Sequence, residues 1–592
     1  MTSYGPADSA LLVEHLLPSV LGLSRELSSE RNERALYFGE LALTLERLRD
    51  HISVISSPRV GEASSPQYPW LWRYVGQFTV GAQGPAVQHA KLWAFLWEWP
   101  DRSQSLELVI SSTNLTEAAF KGQLQAAWRV ILPLEDRPSN TRLASWAALP
   151  HFLEALGRSA GPVAMKRVLR IRDLLARCIC PDGVVPIASI PGEAGAARAL
   201  AKHAPVDRGH LRMHVLTPTI GRWNKTTLGA WCRDAGAKPE HLKLKWIDRD
   251  HDWVQGGGWQ LPRVALDTFA KSGVNVERLG SRRNGPPCCF HDRHAAANDD
   301  RWSHAKLYLL QRGRVRRLLI TSANWSVSAW GAGSTPPQNF ELGVLIDAHW
   351  PLENDSLAFS DQLPPHVVEQ LEVLTSGALT WAEATWDGTQ IQLKARSSDS
   401  QPPVQATVAL ADGAVLSRNL RGGTGALDWS DPLNQPRTAT FVQGSAVIET
   451  AVLDLRPAPK FSQTPLPEMD PAVAAAIREA LLLEQYGGPV VEADTIGALL
   501  GETASSQAAH GGGDYAVAAY VAARAGFAVV DAWCEARRRV RDAGGNGHER
   551  VRHDGVALQA IYERRAASTS EGMPASLIAE EFRWHLEGDD GD

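Results

Sequence analysis

A tripeptide that occurs twice in the same local setting constrains this chain more than any other feature. His-Ala-Lys lies at residues 89–91 and again at 304–306, each time within an apolar, strand-like stretch. The downstream segments match as well, because VISSTNLTEAAF at 109–120 aligns with LITSANWSVSAW at 319–330 at a constant offset. A repeated strand, S-x-N and helix pattern predicts two similar halves. The offset between the histidines is larger than that between the downstream segments, so the second copy is shorter between its parts.

The spacing of apolar residues indicates strands and helices in both halves. In the first half, four segments have strand character: His51–Ser56, Trp72–Val80, Val87–Trp97 and Leu106–Ser111. In the second half, strands and helices alternate in this order: strand Met213–Leu216, helix Thr226–Ala235, strand Leu242–Ile247, helix Pro262–Ser272 and strand Val274–Leu279. Alternation of this kind favours a mostly parallel sheet that is covered on its faces.

We predict an α/β protein of four parts, which a chain of 592 residues is long enough to form. Residues 1–160 and 161–360 form two layered domains related by a pseudo-twofold axis. Residues 370–460 are rich in Thr, Val, Gly and Asp with short alternating runs, which is typical of a small β sandwich. Residues 470–592 form a helical C-terminal region.

Charge and cysteine content exclude several classes of protein. Lys and Arg number 60 against 66 Asp and Glu, for a formal net charge of -6, so a uniformly basic nucleic-acid coat is excluded. Six cysteines are too few for a disulfide scaffold and fit a reducing compartment. The start of the chain lacks a secretory signal pattern, and the most apolar helix, Tyr515–Val530, is too short for a membrane span. We therefore expect a cytoplasmic protein with no membrane partner.

Lysine and asparagine recur in both copies of the repeat. Attack on the phosphorus of a phosphodiester requires neutralisation of its oxygens, and ammonium and amide groups can provide this without a metal. Lys91 and Lys306 supply the ammonium groups, and Asn114 and Asn324 supply the amides. We therefore expect neither a cofactor nor a metal ion.

The two histidines divide the remaining chemistry. One neutral imidazole can attack phosphorus and form a phosphohistidine, while the other donates a proton to the leaving oxygen and later accepts one from water. Both halves must then meet at one site, and neither half works alone. Each imidazole also needs a partner on its second nitrogen. Gln125 and Glu341 are the candidates, because a return strand would bring them under the site; the alternative is a polar residue at a strand end.

The double His-x-Lys with S-x-N resembles the motifs of the phospholipase D superfamily. The usual superfamily motif has an aspartate five residues after the lysine, whereas this chain has Leu96 and Gln311 there. The absence of both aspartates resembles the tyrosyl-DNA phosphodiesterase branch. So does SANWSVSAWG at 322–331 followed by NFELGVLI at 339–346. The resemblance covers roughly residues 35–350.

The resemblance implies two phospholipase D-like halves that transfer a DNA 3′-phosphoryl group from a tyrosine or another adduct to a histidine. Hydrolysis would follow without a metal. It implies that His89 is the nucleophile and that His304 is the general acid and base. DNA, bound at 3′ ends or as a single strand, is the expected partner. Residues after about 370 have no counterpart in that family, and a protein partner is a further expectation for them.

Three other functions stay open on the sequence. A nuclease of the same superfamily, acting in antiviral defence or restriction, would need a longer DNA path. Four arginines suit such a path and equally suit a basic turn between strands: Arg312, Arg314, Arg316 and Arg317. A phospholipase is disfavoured because no amphipathic basic anchor is visible. A catalytically idle binding module is disfavoured because both histidines and both lysines are present.

Two further residue groups have weaker signals. One contains zinc-ligand residue types, although adjacent cysteines favour an ordinary loop: Cys288, Cys289, His291 and His294. The other contains tryptophans that are candidates for stacking on a base, although core packing is favoured for each: Trp70, Trp72, Trp93 and Trp330.

Overall fold

The structure of the protein is a computed structural model. It describes the following residues: 1–48, 51–57, 67–99, 101, 103–135, 144–247, 253–254, 258–279, 302–348, 367–369, 379–398, 402–431, 434–456, 471–488, 515–542, 548–567 and 572–587. The chain divides into two compact units. The first comprises Met1–Val13 and Asp50–Arg456, and the second comprises Glu14–Arg49 and Pro457–Asp592.

The described residues form a mixture of strands and helices. The strands are β1 (Ser53–Ser56), β2 (Gly76–Thr79), β3 (Val87–Gln88), β4 (Lys91–Glu98), β5 (Gln104–Ser111), β6 (Gln123–Leu124), β7 (Ala127–Pro133), β8 (Val185–Ser189), β9 (Arg212–Thr217), β10 (Leu242–Ile247), β11 (Trp253–Val254), β12 (Gly258–Leu261), β13 (Asn275–Leu279), β14 (Trp302–Ser303), β15 (Leu307–Arg312), β16 (Val315–Thr321), β17 (Asn339–Asp347), β18 (Val367–Glu369), β19 (Leu379–Trp386), β20 (Gln390–Ser397), β21 (Gln405–Leu410), β22 (Val415–Asn419), β23 (Thr424–Asp428), β24 (Pro436–Gln443) and β25 (Ala446–Asp454). The α-helices are α1 (Ser9–Leu11), α2 (Leu17–Leu21), α3 (Arg31–Arg47), α4 (Glu117–Lys121), α5 (Ala148–Ala160), α6 (Pro162–Leu175), α7 (Ala197–Lys202), α8 (Lys225–Ala235), α9 (Arg263–Ser272), α10 (Val327–Trp330), α11 (Pro471–Gln485), α12 (Tyr515–Asp542), α13 (His548–Ala567) and α14 (Gly572–Glu587).

The first copy of the repeat is built on a three-stranded antiparallel sheet in the order β4-β5-β7. One face of this sheet carries alternate apolar residues, such as Leu92, Leu108 and Leu132, which are buried in a hydrophobic core. The predicted strand Trp72–Val80 differs in the structure, because a 3-10 helix covers Pro69–Arg73 and β2 begins only at residue 76.

The second copy lies in an eight-stranded sheet in the order β13-β10-β9-β15-β16-β17-β3, with β8 paired to β17. The expected mostly parallel sheet is wrong for its second part. β13, β10 and β9 are parallel, but β15 runs antiparallel to β9, and β16 and β17 continue that alternation. β16 runs antiparallel to β15 because a tight turn joins the two strands, and Gly313 in that turn has φ 56°.

The sequence repeat corresponds to a structural repeat. β4, β5, α4 and β7 follow one another in the first copy, as β15, β16, α10 and β17 do in the second. Lys91 pairs with Ser111 across the first hairpin, and the Thr321 amide donates to the carbonyl of Lys306 across the second. The second hairpin has a shorter turn and shorter strands, which together account for the difference between the two sequence offsets.

Short strands are exchanged between the two halves. β3, just before the first His-Ala-Lys, pairs in parallel with the start of β17 in the second half. β14, just before the second His-Ala-Lys, pairs in parallel with β6 in the first half. Each motif is therefore held by the backbone of the opposite half.

One hydrophobic core spans both halves of the first unit. It contains residues of β4, β5, α5 and α6 together with Leu309, Ile320 and Leu342 from the second half. A second core lies between the other face of the eight-stranded sheet and helices α8 and α9, and it contains Trp223 and Phe269. The two halves thus share buried apolar surface, which is the main source of stability for such an arrangement.

Residues 379–454 form seven strands in the continuous order β22-β21-β24-β25-β19-β20-β23. The region is β-rich as expected. β25 pairs antiparallel with β24 on one side and parallel with β19 on the other, so a single sheet results. Trp386, Ile391 and Phe441 pack in its core.

The second unit is helical. α12, α13 and α14 enclose a core that includes Trp533, Leu558 and Phe582. α3 also packs in this unit, against α11, although residues 1–160 were expected to form the first layered domain. Gly39 permits this packing, because a Cβ there would lie 2.4 Å from a methyl carbon of Ile477. No helix among the residues that the structure describes is long and apolar enough to cross a membrane.

The tryptophan cluster beside the second copy of the repeat should make a large contribution to stability. Trp223 is fully buried, contacts Trp231 and Trp325, and donates its indole N–H to the Trp325 carbonyl at 3.0 Å. We expect Trp223→Ala to destabilise the first unit by about 3–5 kcal/mol, because it leaves a large cavity in the core. Chemical denaturation followed by near-ultraviolet circular dichroism measures this loss.

A control variant is Val206→Ala, since Val206 is 90% exposed and its substitution should change stability by no more than about 0.5 kcal/mol. Equal denaturation midpoints for the two variants would contradict the role assigned to the cluster.

Candidate active site

His89 is positioned by the second half of the fold. Its backbone N–H donates to the carbonyl of Phe340 at 3.0 Å, extending the β3–β17 pairing by one residue. Its Nδ1 lies 2.9 Å from Oε2 of Glu341, the residue after Phe340. The imidazole is buried, and Nδ1 is committed to the carboxylate. Nε2 is then the nitrogen available for chemistry.

His304 is positioned in the same way by the first half. Its backbone N–H donates to the carbonyl of Leu124 at 2.8 Å. Its Nδ1 lies 3.3 Å from Oε1 of Gln125, the residue after Leu124, and 3.2 Å from the carbonyl of Ser112. Both partners are acceptors, so Nδ1 carries a proton and Nε2 is the unprotonated nitrogen of the neutral ring. The structure thus places each orienting candidate against the histidine of the other half.

Both lysines are fully buried beside the histidines. Lys91 Nζ donates to the carbonyl of His89 at 2.6 Å, and Lys306 Nζ donates to that of His304 at 2.8 Å. Lys306 Nζ is also 2.8 Å from Nε2 of His304. Two buried cations with neutral backbone acceptors form a site that an anion would stabilise.

The asparagines of the two copies have different surroundings. Asn114 Oδ1 accepts a hydrogen bond from the Tyr4 backbone N–H at 3.2 Å, which leaves its NH2 group as a donor. Asn324 Oδ1 is buried without a hydrogen-bond partner. Thr116 and Ser326 cap the helices that follow, through the N–H groups of residues 119 and 329. Those helices have only five and four residues, so we assign them no dipole contribution to anion binding.

Four polar residues of the site were missed from the sequence. Ser112 Oγ donates to Oε1 of Gln125 at 2.7 Å, and Ser322 Oγ donates to Oε2 of Glu341 at 2.5 Å. One position further out, Gln125 Nε2 donates to Gln123 and Asn339 donates to Glu341 Oε1 at 3.0 Å. The signal was present for the serines, because each is the first residue of the repeated S-x-N motif. No pattern distinguishes Gln123 and Asn339 from ordinary polar residues.

The charge on the first imidazole is set by two opposing effects. Burial lowers the pKa of His89, while the adjacent Glu341 carboxylate raises it, and the net shift is downward from the usual value near 6.5. For Glu341, burial raises the pKa, but His89, Lys91 and Ser322 outweigh it and the net pKa is lowered. The pair is thus a neutral imidazole next to an ionised carboxylate at neutral pH.

The second imidazole is held neutral more strongly. Burial lowers the pKa of His304 well below its usual range, and the charges of Lys306 and Lys91 lower it further. Burial also lowers the pKa of Lys91 from 10.5 to about 8, partly opposed by Glu341. His89 and both lysines therefore act electrostatically on His304, which is consistent with one shared site.

The candidate DNA-contacting arginines lie away from these groups. Lys306 precedes the first residue of β15, and Arg312 is the last, about 20 Å away at 3.3 Å per residue. Arg317 Nη1 donates to the His203 carbonyl, and its Nε is 3.1 Å from Asp347. Arg314 lies in the turn, and Arg316 in β16. This placement matches the interpretation as a basic turn between strands, and we assign these arginines no contact at the site.

The tryptophans proposed for base stacking differ in burial. Trp70, Trp72 and Trp330 are buried, whereas Trp93 is half-buried. The group with zinc-ligand residue types lies outside the described residues: Cys288, Cys289, His291 and His294. Within the described part of the chain, no group of three or more His, Cys, Asp or Glu side chains is arranged to hold a metal ion.

Comparison with known families confirms the resemblance seen in the motifs. The family model described as "Tyrosyl-DNA phosphodiesterase" matches residues 277–401. That stretch contains the second His-Ala-Lys, Asn324 and Glu341, but not the first motif. The matched family is one of phosphoric diester hydrolases, in agreement with the enzyme class expected from the motifs. No curated protein matches the chain.

Solved structures with weak similarity include a tyrosyl-DNA phosphodiesterase from yeast. Yeast tyrosyl-DNA phosphodiesterase is 15% identical, with 50% of this chain and 78% of that chain covered and a TM-score of 0.34. A mutant of the yeast enzyme is 14% identical over 50% and 77%, with a TM-score of 0.37. Polyphosphate kinase from Porphyromonas gingivalis is 12% identical over 53% and 38%, with a TM-score of 0.27. TM-scores this low support no argument about the function of this chain.

Replacement of the carboxylate beside His89 should lower the imidazole pKa further. In Glu341→Gln the charge that raises the pKa of His89 is gone, while the burial that lowers it remains. Protonation of His89 should therefore begin at a lower pH than in the wild type. An NMR titration with labelled histidine measures this directly. The control is Glu193→Gln, which removes the carboxylate partner of the exposed His151, and a His89 pKa equal to or above the wild-type value in Glu341→Gln would contradict the assignment.

Oxyanion binding should weaken as pH rises through the pKa of Lys91. Because that pKa is about 8 and the protonated lysine is the binding form, affinity for tungstate should be constant below pH 7. It should then fall about tenfold per pH unit above pH 8. Isothermal titration calorimetry gives the affinity at each pH. Lys238→Met, at an exposed lysine, should leave the profile unchanged, whereas a flat wild-type profile up to pH 10 would contradict the shifted pKa.

Proposed function

We propose that this protein is a metal-independent phosphodiesterase that acts on DNA through a covalent phosphohistidine. One observation carries the proposal. Two imidazoles from different halves each have Nδ1 engaged by a residue of the opposite half, and two buried lysines and two asparagines accompany them. The arrangement supplies a nucleophile, a proton donor and neutralisation of an anionic phosphoryl group.

His89 is the proposed nucleophile because its partner is charged. When its Nε2 forms a bond to phosphorus while Nδ1 keeps its proton, the ring becomes cationic. The ionised Glu341 carboxylate at 2.9 Å stabilises that cation. The pKa of His89 is lowered by burial, so the free imidazole is neutral and nucleophilic at neutral pH.

His304 is the proposed acid and base because its partner is neutral. Gln125 orients the ring without stabilising its protonated form as a carboxylate would. In the first step His304 Nε2 gives its proton to the leaving oxygen as the P–O bond breaks. In the second step it takes a proton from water, the water oxygen attacks phosphorus, and the P–N bond breaks.

Substrate binding provides the proton that this mechanism needs. The pKa of His304 is lowered by burial and then by Lys306 and Lys91. A bound phosphodiester anion would offset the two lysine charges and raise that pKa. Lys306 Nζ, which is 2.8 Å from His304 Nε2, would then contact phosphate oxygen in place of the imidazole.

The substrate proposed for this site is DNA with an adduct at its 3′ end. The family match over residues 277–401 supports it, because the matched family acts on tyrosyl-DNA bonds by its own description. Internal cleavage, as in a defence or restriction nuclease, is the alternative outcome that the experiment below separates. A role for residues 370–592 in binding a partner protein is part of that alternative.

The experiment uses the purified full chain in EDTA with four DNA substrates. These are a 3′-phosphotyrosyl oligonucleotide, unmodified linear single- and double-stranded DNA, and a circular plasmid. Release of tyrosine with no internal cuts supports end processing. Internal cuts would contradict end processing and support a nuclease. No product on any substrate would contradict both enzymatic functions and leave the idle module.

Two histidine variants test the roles. His89→Ala should lose at least about 10³-fold in turnover, because the nucleophile is gone. His304→Asn should slow the second step, so that a covalent protein–DNA species accumulates and is seen by denaturing gel electrophoresis. His151→Ala, at an exposed histidine, should behave as wild type. Wild-type rates in His89→Ala would contradict the mechanism.

A further inference from the structure

One face of β4 carries a row of aromatic residues that starts at the active site. Successive side chains of a strand point to opposite faces, so Lys91, Trp93, Phe95 and Trp97 share one face. The three aromatic residues are half-buried, and none of them is part of a hydrophobic core. Phe120, which is 37% exposed, stacks on Trp93 with ring planes 5° apart. The row therefore continues the site outward along the strand.

The same face is exposed on the edge strand β7, whereas Ser105, Glu107 and Ser111 of β5 are buried. On β7, exposed and less exposed residues alternate, and Ala127, Arg129 and Ile131 are exposed on this face. β5 contributes Glu107, whose carboxylate accepts hydrogen bonds from Arg129 and from the Trp97 indole. The Glu107 carboxylate is thus neutralised by a cation on the same face, so it does not repel an anionic ligand.

The second copy of the repeat covers the equivalent face. By alignment of Lys91 with Lys306, the positions of Trp93 and Phe95 correspond to Tyr308 and Leu310, which are fully buried. There, α8 and α9 pack against the sheet and complete a core. The first copy has aromatic residues and solvent exposure where the second copy has a helical cover. Duplicated halves that differ in this one respect indicate a ligand surface in the first half.

We propose that this face binds single-stranded DNA that extends from the phosphoryl group held at Lys91. The inference rests on the proposed function, because the scissile phosphate fixes one end of the strand. The remaining bases would stack on the aromatic row from Trp93 to Trp97, one for each aromatic residue. The face thus determines specificity for three nucleotides upstream of the 3′ end.

The spacing of the row favours a single strand over a duplex. Residues two apart on a strand are separated by about 6.6 Å, roughly twice the 3.4 Å between successive bases of one duplex strand. Bases at this spacing cannot stack on one another, so each stacks on a side chain. Only an unpaired strand can separate its bases in this way. Trp and Phe rather than Leu or Val occupy the row, and aromatic rings are the side chains on which bases stack.

The test measures how turnover depends on substrate length. The substrates are a nucleotide 3′-(4-nitrophenyl) ester, the same ester on single strands of two to six nucleotides, and the six-nucleotide ester annealed to its complement. We expect KM to fall with length up to four nucleotides and then level off. The annealed ester should have a KM near that of the mononucleotide.

Trp97→Ala and Phe95→Ala should each raise KM for the four-nucleotide ester by about 5- to 150-fold. They should leave kcat and KM for the mononucleotide ester unchanged, which also shows that the variants are folded. Leu96→Ala is the matched control, because Leu96 is 49% exposed on the same strand but on the opposite face. The proposal would be overturned by equal length dependence of KM in Trp97→Ala and Leu96→Ala. It would also be overturned by a lower KM for the annealed ester than for the single-stranded one.

Binding without catalysis separates this proposal from the proposed function. Fluorescence anisotropy with a labelled six-nucleotide single strand and His89→Ala protein measures DNA binding in the absence of catalysis. Weaker binding after a further Trp97→Ala substitution supports the face even if no ester is hydrolysed. Unchanged binding overturns it even if the esters are hydrolysed.

Discussion

Every functional group of the site depends on backbone pairing between the two halves. The His89 N–H bonds to the carbonyl of Phe340, and the His304 N–H bonds to that of Leu124. In each case the next residue, Glu341 or Gln125, reaches the imidazole of the histidine just fixed. Because each histidine and its partner belong to opposite halves, a displacement of one half would separate both histidines from their partners. The site exists only where the two halves meet.

This reciprocity explains how two lysines can be fully buried. Burying an ammonium group is costly unless it is paired, and here each Nζ is held by the carbonyl of its own histidine. The same burial lowers the pKa of both imidazoles. The charge of the site therefore depends on the ligand, because a bound anion would offset the lysine charges that lower the pKa of His304. Glu341 breaks the symmetry of the two orienting partners, and it does so at the histidine that must carry positive charge in the proposed mechanism.

The repeat made the site predictable from the sequence, because two copies of His-x-Lys and S-x-N confine the chemistry to six side chains. Gln125 and Glu341 followed from the return strand, and the structure places both at the imidazoles. The parallel pairing of β9, β10 and β13 followed from the alternation of strands and helices. The antiparallel direction of β15, β16 and β17 did not, because apolar runs carry no sign of strand direction. Nor did the packing of α3 against α11, since pairing between helices far apart in sequence has no local signal.

The divergence of the two halves is easier to explain by function than by stability. An uncovered sheet face leaves apolar surface in water, which a covering helix would bury favourably. In the second half α8 and α9 cover Tyr308 and Leu310, whereas among the described residues of the first half Trp93 is stacked by Phe120 and Phe95 is half-buried. A duplicated fold that keeps the catalytic groups in both copies while one copy leaves its face open forgoes stability there. That loss is accounted for if a ligand occupies the face, and the row begins at the lysine that holds the phosphoryl group.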